Sequence, residues 1–478
     1  MKEVSENLPF LDASPLHIPV MPIEARLPLH PLCEWIRRVD DHAEARIDVL
    51  QRAAAILGGE CQTSVSERRE LADKIEHWRY QHLNARVGKL VTEDSRLLDA
   101  LDLAANELAG RQARPPRRTR DLLRDDSFGT GRVSEACEML DEAYPLSRLI
   151  EQATALTIER FGEPASVASP GSDRRMLLYA PLYLSNHCIN HCTYCGFRFP
   201  LQIERTHLTF DQAKPEADIL IDRGFRHILL VGGDFPKLTT AEYYGEMIEY
   251  LAQRGVATAV EIAPQSTADY AKLVRAGACG VTLYQETYDE VLYAKYHPRG
   301  TKAWYDWRFE GLDRAAEAGM RRLGLGFLMG LADPMDDMKA MMRHAVYLQD
   351  RYPDCTLAFS LPRIHDAPQG FQPPHSIDDD LFVRFYCVLR LAFPEAQLVL
   401  STRENAALRD RLATICITQM SAGSCTAPGG YESSECHSSG EQFPVTDQRS
   451  VETVADWLTD HSFRLTWEIV AQNESKDT

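Results

Sequence analysis

Apolar positions recur along this chain with two different periods, and the change of period divides it. From about residue 31 to residue 110 the spacing is helical. Trp35, Ile36 and Val39 share one face, and so do Ile47, Leu50, Ala54 and Leu57. Leu71, Ile75, Trp78 and His82 follow, then Leu97, Leu101, Ala104 and Leu108, with Gly58-Gly59 and Gly110 as stops. Another helix is expected over 133–160, ending near Phe161-Gly162. Beyond it the pattern changes to short apolar runs without alternation, as buried parallel strands require. These runs are 176–185, 227–233, 258–264, 280–286, 322–330, 356–363, 397–403 and 417–421. Amphipathic stretches such as 239–254, 304–320, 336–352 and 378–393 lie between them. Eight alternations predict an α/β fold, a (βα)8 TIM-type barrel with an N-terminal helical extension. The expected boundaries are 1–130 for the extension and its Arg/Pro-rich linker, 131–449 for the barrel with its preceding helix, and 450–478 for a C-terminal helical tail. Residues 1–30, rich in proline and without period, are expected to be loosely ordered.

Charge changes the picture by exclusion. A net charge of −18 over 478 residues argues against nucleic acid as the main partner. The local exception, six arginines within 111–124 around Pro115-Pro116, reads as a solvated linker. No apolar run approaches the roughly 20 residues that span a bilayer, and Met1-Lys2-Glu3-Val4-Ser5-Glu6 lacks the plan of a secretory signal. Twelve cysteines without a disulfide-dense layout point to a reducing compartment, the cytoplasm.

Chemistry concentrates at one place. Cys188, Cys192 and Cys195 follow the first predicted strand with three and then two residues between them, a spacing that lets three thiolates face one soft metal or cluster. Active sites of such barrels form on the loops after the strand C-termini, and this loop is one of them. Three arrangements fit: a zinc site completed by His187 or His191, plain structural thiols, or a [4Fe-4S] cluster with one iron left open.

Cys-x3-Cys-x2-Cys after a first barrel strand, with Tyr194 before the last cysteine, resembles the signature of the radical S-adenosylmethionine (SAM) enzymes. Pro181-Leu182-Tyr183-Leu184-Ser185-Asn186, Thr193-Tyr194-Cys195-Gly196-Phe197, Tyr284-Gln285-Glu286-Thr287-Tyr288, Asp306-Trp307-Arg308, Gly324-Leu325-Gly326, Ser360-Leu361-Pro362-Arg363 and Ser401-Thr402-Arg403-Glu404 narrow the likeness to the aromatic amino-acid lyase branch. With Ser421-Ala422-Gly423-Ser424, Pro428-Gly429-Gly430-Tyr431 and Gln442-Phe443, the pattern is most similar to the 2-iminoacetate synthases, the tyrosine lyases of thiamine thiazole synthesis. The likeness runs from about residue 133 onward and leaves residues 1–130 unexplained.

The resemblance implies roles. Cys188, Cys192 and Cys195 would ligate three irons, with SAM on the fourth and Tyr194 beside it. Gly232-Gly233-Asp234 stands where the family has a Gly-Gly-Glu element for the methionine ammonium, one methylene shorter; a plain turn is the alternative. Glu261 would meet the ribose or ammonium, or else pair with a buried arginine. Gly326 would leave room for adenine, or only allow close packing. Arg403 with Ser401 and Ser421 would clamp the substrate carboxylate, with Arg363 as second choice or a structural ion pair. Tyr183 would meet the substrate amine, or be a barrel-layer tyrosine. One of Gln285, Glu286 and Tyr288 would handle the phenol proton, unless all three stand behind the site.

The implied reaction is Cα–Cβ cleavage of L-tyrosine to 2-iminoacetate and p-cresol, with 5′-deoxyadenosine and methionine formed. Implied partners are a thiazole synthase and a flavodoxin- or ferredoxin-type reductant. The maturase that makes carbon monoxide and cyanide from tyrosine carries a Cys-x2-Cys pair on a C-terminal extension. Cys425 and Cys436 are too far apart for that, with an auxiliary site using His437 as a lesser option. Asp234 and the long N-terminal region leave open a related lyase acting on tryptophan or another aromatic amino acid in a specialised pathway. A non-enzymatic zinc or iron–sulfur scaffold is the reading from a different class.

Overall fold

The computed structural model describes residues 27–39, 43–85, 92–110, 132–162, 174–365, 370–432 and 440–468. The looseness expected of residues 1–30 and the arginine linker at 111–124 therefore fall almost wholly outside the described residues, as do Cys436 and His437. The chain forms two compact units, Met1–Ile75 with Val91–Arg117, and Glu76–Leu90 with Arg118–Thr478.

The first unit is helical. Helices Leu29–Val39, Ala43–Leu57 and Thr92–Leu108 lie within it, and Val65–Ala85 begins there. Its core takes Trp35, Ile36, Leu50, Leu71, Leu101 and Ala104. In the second helix the buried stripe is Ile47, Leu50, Ala53 and Ile56, one residue off the expected Ala54 and Leu57.

The second unit is a closed parallel barrel. Its strands are β1 (Arg174–Ser185), β2 (His227–Gly232), β3 (Ala257–Glu261), β4 (Ala278–Thr282), β5 (Arg322–Leu325), β6 (Thr356–Ser360), β7 (Gln397–Leu400) and β8 (Gln419–Ser421). They pair in sequence order, and β1 bonds both β8 and β2 to close the ring. Helices start at side-chain caps that satisfy their first N–H groups, among them Thr209, Thr240, Ser266, Asp378 and Asn405.

Three expectations are corrected. The helix expected over 133–160 is two, Arg132–Leu140 and Leu146–Phe161. Pro145 bars Tyr144 from helical backbone, and Asp141 Oδ1 accepts from the Ala143 N–H at 2.8 Å to shape the break. The stretch 304–320 likewise divides into Tyr305–Phe309 and Gly311–Glu317. The C-terminal tail has its helix, Val451–Asp460, but then adds a strand, β9 (Phe463–Thr466), parallel to β1. Leu177 pairs with Gln419 of β8 on one side and Thr466 of β9 on the other. β9 therefore lies on the edge of β1 that β2, whose register starts at Ala180, leaves bare. Most strands also stop several residues short of the apolar runs that announced them. Phe327, Leu328 and Met329 beyond β5, for instance, are buried in the mouth loops, so hydrophobicity continues where pairing ends.

Candidate active site

β1 delivers its loop to the barrel mouth, and later segments fix the loop there. Arg205 donates to the carbonyls of Asn186 at 2.6 Å, Phe197 at 2.8 Å and Arg198 at 3.0 Å, satisfying backbone that a turn would leave open. Asn190 is the central clip. Its Nδ2 donates to Asp234 Oδ2 at 2.9 Å, while Oδ1 accepts from the Lys302 N–H at 2.9 Å and the Thr301 hydroxyl at 3.1 Å. Loops after β1, β2 and β4 meet on this one amide. Gly233 lets the cysteine loop sit down, since a Cβ there would lie 2.3 Å from the His187 carbonyl oxygen.

Cys188, Cys192 and Cys195 all face this mouth as free thiols. Burial raises the pKa of each, Cys188 to about 12. The Phe197 N–H donates to Cys195 Sγ at 3.4 Å. Tyr194, fully buried, donates its hydroxyl to His297 Nε2 at 2.8 Å, which is left as the acceptor because Nδ1 faces the Tyr293 carbonyl at 2.7 Å. Burial first, then the Lys302 charge, holds His297 neutral, with a pKa near 3.

An ion-pair cluster flanks the loop. Glu286 takes Lys302 Nζ at 2.5 Å and Arg308 at 3.1 Å on Oε1. Burial would raise its pKa, but those two cations pull it down to about 2. Its backbone is left-handed, φ 74°, a strained state that the surrounding bonds hold in place. Asp234 is pushed up to about 6 by burial, against the pull of the Asn190 hydrogen bond. Glu261 goes up to about 7, burial outweighing Arg403.

Arg403 lies over Phe443, its guanidinium carbon 3.7 Å from the ring centroid; it makes no salt bridge among the described residues, with the Glu261 carboxyl only within electrostatic reach. Ser401 sits beside it, its hydroxyl 3.5 Å from the Arg403 N–H. Tyr183 donates its hydroxyl to Gln442 Oε1 at 2.9 Å. The other expected residues are engaged elsewhere. Arg363 is spent on Glu404, Asp379 and the Ile377 carbonyl, the structural ion pair. The Tyr288 hydroxyl meets His344 Nδ1 at 3.1 Å, in the layer between strands and helices. Ser421 Oγ accepts from the Thr402 N–H at 3.0 Å. Gly326 makes room for protein, since a Cβ there would stand 2.1 Å from the Ser360 oxygen and 2.5 Å from the Tyr284 ring. Gln285 is buried, its Nε2 unpartnered among the described residues. Asn190, Lys302, Arg308 and Gln442 had no assigned role from sequence, although Arg308 and Gln442 lay in matched motifs.

Residues 182–345 match the Radical SAM superfamily, and residues 360–464 the Biotin and Thiamin Synthesis associated domain. Over 323 residues the chain is 36% identical to 2-iminoacetate synthase of Escherichia coli (strain K12), covering 67% of this chain and 82% of that protein. The chain belongs to the 2-iminoacetate synthase branch of the radical SAM superfamily. It is also 26% identical over 276 residues to 3-methylornithine synthase of Methanosarcina barkeri (strain Fusaro), covering 56% of this chain and 75% of that one. Among solved structures, the FeFe-hydrogenase maturase HydG from Carboxydothermus hydrogenoformans matches with a TM-score of 0.63 at 27% identity, covering 86% of each chain.

Radical SAM enzymes use a [4Fe-4S] cluster and SAM, and the chain is a radical SAM lyase. The residues at the mouth fit both groups. Three unbridged thiols, within electrostatic reach of one another, share one loop, with an N–H aimed at a sulfur. Among the described residues no three His, Cys, Asp or Glu side chains converge tightly enough for a single metal ion. His187 packs against Phe235 and His191 against Phe199 instead. Cys425 is buried beside Gly430, where a Cβ would meet its sulfur at 2.0 Å. No helix among the described residues is long and apolar enough to cross a membrane.

Proposed function

We propose that this lyase cleaves the Cα–Cβ bond of L-tyrosine, giving 2-iminoacetate (dehydroglycine) and p-cresol for thiamine thiazole synthesis. The observation that carries the reading is Arg403, a guanidinium fork with no salt bridge among the described residues, held over Phe443 at the mouth that also bears the three thiols. Such a fork suits the carboxylate of an amino acid. The 36% identity to a 2-iminoacetate synthase directs the choice of amino acid toward tyrosine.

In this reading Cys188, Cys192 and Cys195 hold the cluster, and Asp234 and Glu261 hold the ammonium and ribose of SAM. When bound, the cluster and SAM would supply the radical chemistry that abstracts hydrogen from the substrate and so opens the Cα–Cβ bond. The protein's own work is positioning and exclusion of water. Arg403 and Ser401 fix the carboxylate, Tyr183 meets the amine, and Asn190 sets Asp234 against the cysteine loop. Glu286, locked between Lys302 and Arg308, keeps the wall of the mouth rigid. Dehydroglycine hydrolyses readily, so hand-over to a thiazole synthase follows, and a flavodoxin- or ferredoxin-type protein supplies the electron. Eleven described cysteines free of disulfides support a reducing compartment, the cytoplasm.

The test is anaerobic turnover of reconstituted enzyme with reductant, SAM and either tyrosine or tryptophan, products read by mass. p-Cresol and 5′-deoxyadenosine with tyrosine are expected. An indole product from tryptophan, with no p-cresol from tyrosine, sinks the assignment.

A further inference from the structure

Gln442 touches both halves of the site. Its Oε1 accepts the Tyr183 hydroxyl at 2.9 Å, which turns Nε2 toward Cys195 Sγ at 4.0 Å, the long end of hydrogen bonding to sulfur. The backbone holds this pose. Gln442 O accepts from the Gly196 N–H at 3.2 Å, and Gln442 N–H donates to the Thr426 carbonyl at 3.3 Å. A Cβ on Gly196 would lie 2.4 Å from the Glu441 oxygen, so this strand of chain is pressed directly on the cysteine loop. The next residue, Phe443, is the platform under Arg403.

We propose that Gln442 is a positioning residue that reports substrate binding to the cluster, through the chain Tyr183 hydroxyl, Gln442 amide, Cys195 sulfur. Both ends of this chain take their roles from the function proposed above, Tyr183 at the substrate amine and Cys195 at the cluster. A hydrogen bond to a ligating sulfur favours the reduced, more negative state of the cluster and raises its potential. Serial hydrogen bonds polarise one another. A substrate ammonium donating to the Tyr183 oxygen makes that hydroxyl a better donor to Oε1, and Nε2 a better donor to sulfur. The cluster then accepts an electron more readily when substrate is in place, which keeps an indiscriminate radical from forming in an empty mouth.

The experiment is an anaerobic redox titration of the reconstituted enzyme with SAM, followed by electron paramagnetic resonance, with and without L-tyrosine. The natural protein should show a positive shift of the cluster midpoint on adding tyrosine. Gln442→Leu should lower the substrate-free midpoint, cutting the reduced fraction at a fixed poise by about tenfold, the worth of one hydrogen bond to a charged group. It should also abolish the tyrosine-dependent shift. Gln442→Leu with the natural midpoint and the natural shift overturns the proposal. If that variant fails to load iron and sulfide, Tyr183→Phe decides, since a loaded Tyr183→Phe that retains the shift also overturns it. Equilibrium dialysis of tyrosine separates this outcome from a wrong substrate, because the substrate-free difference between Gln442→Leu and the natural protein stands whichever amino acid binds.

Discussion

Arg403 and Arg363 stand just beyond neighbouring strands, yet their surroundings give them opposite work. Arg363 has a buried carboxylate, an aspartate and a carbonyl on its fork, so nothing is left for a ligand. Arg403 has an aromatic face and, among the described residues, no salt bridge, with Glu261 only within electrostatic reach. Arg403→Lys should raise the KM for the amino acid about 10- to 100-fold, the loss of a bidentate contact, with iron content unchanged. Steady-state kinetics on the loaded enzyme reads this. Arg363→Lys should instead lower the melting temperature, because it leaves Glu404, itself buried, with its pairing broken.

At the scale of the element, the cysteine loop is a passenger whose seat is made by others. Gly233→Ala would drive a methyl into the His187 carbonyl. It should cost about 1–3 kcal/mol of local strain and reduce iron bound on reconstitution, while far-ultraviolet circular dichroism of the barrel stays the same. Iron per chain and the spectrum check both halves. The loop itself was legible in the sequence because its three cysteines lie within eight residues and follow a β-prone run. Arg403 was singled out by a short local motif, and the structure places it over Phe443. Asn190, Lys302 and Gln442 were not, because what they do depends on which loops meet across the mouth, and spacing carries no trace of that. The left-handed backbone at Glu286 is invisible for the same reason. Tyr288, four residues beyond Tyr284, faces away from the lumen that Tyr284 lines, because the chain turns after β4.

For the whole barrel, eight apolar runs predicted eight strands, and they are there. β9 escaped because Phe463–Thr466 is short, half polar and far from its partner. It nonetheless bears load at the foot of the ring, where Arg174 stacks 5.1 Å from the Phe463 ring and Phe225 meets Trp467 at 5.4 Å. A chain cut after Ser462 should lose about 3–5 kcal/mol, in line with removing buried aromatics, and thermal unfolding measures it.

The same strand sets a clock. β1 is complete at residue 185, but its lower edge is covered only when residues 463–466 arrive. At about 5–20 residues per second, the first strand waits for tens of seconds, its three cysteines already made. Asp234, Lys302 and Gln442, the residues that shield and orient those thiols, are still being added during that wait. Cluster delivery therefore belongs after synthesis, and slow translation lengthens the time for which the thiols stand bare to oxidants and stray metal.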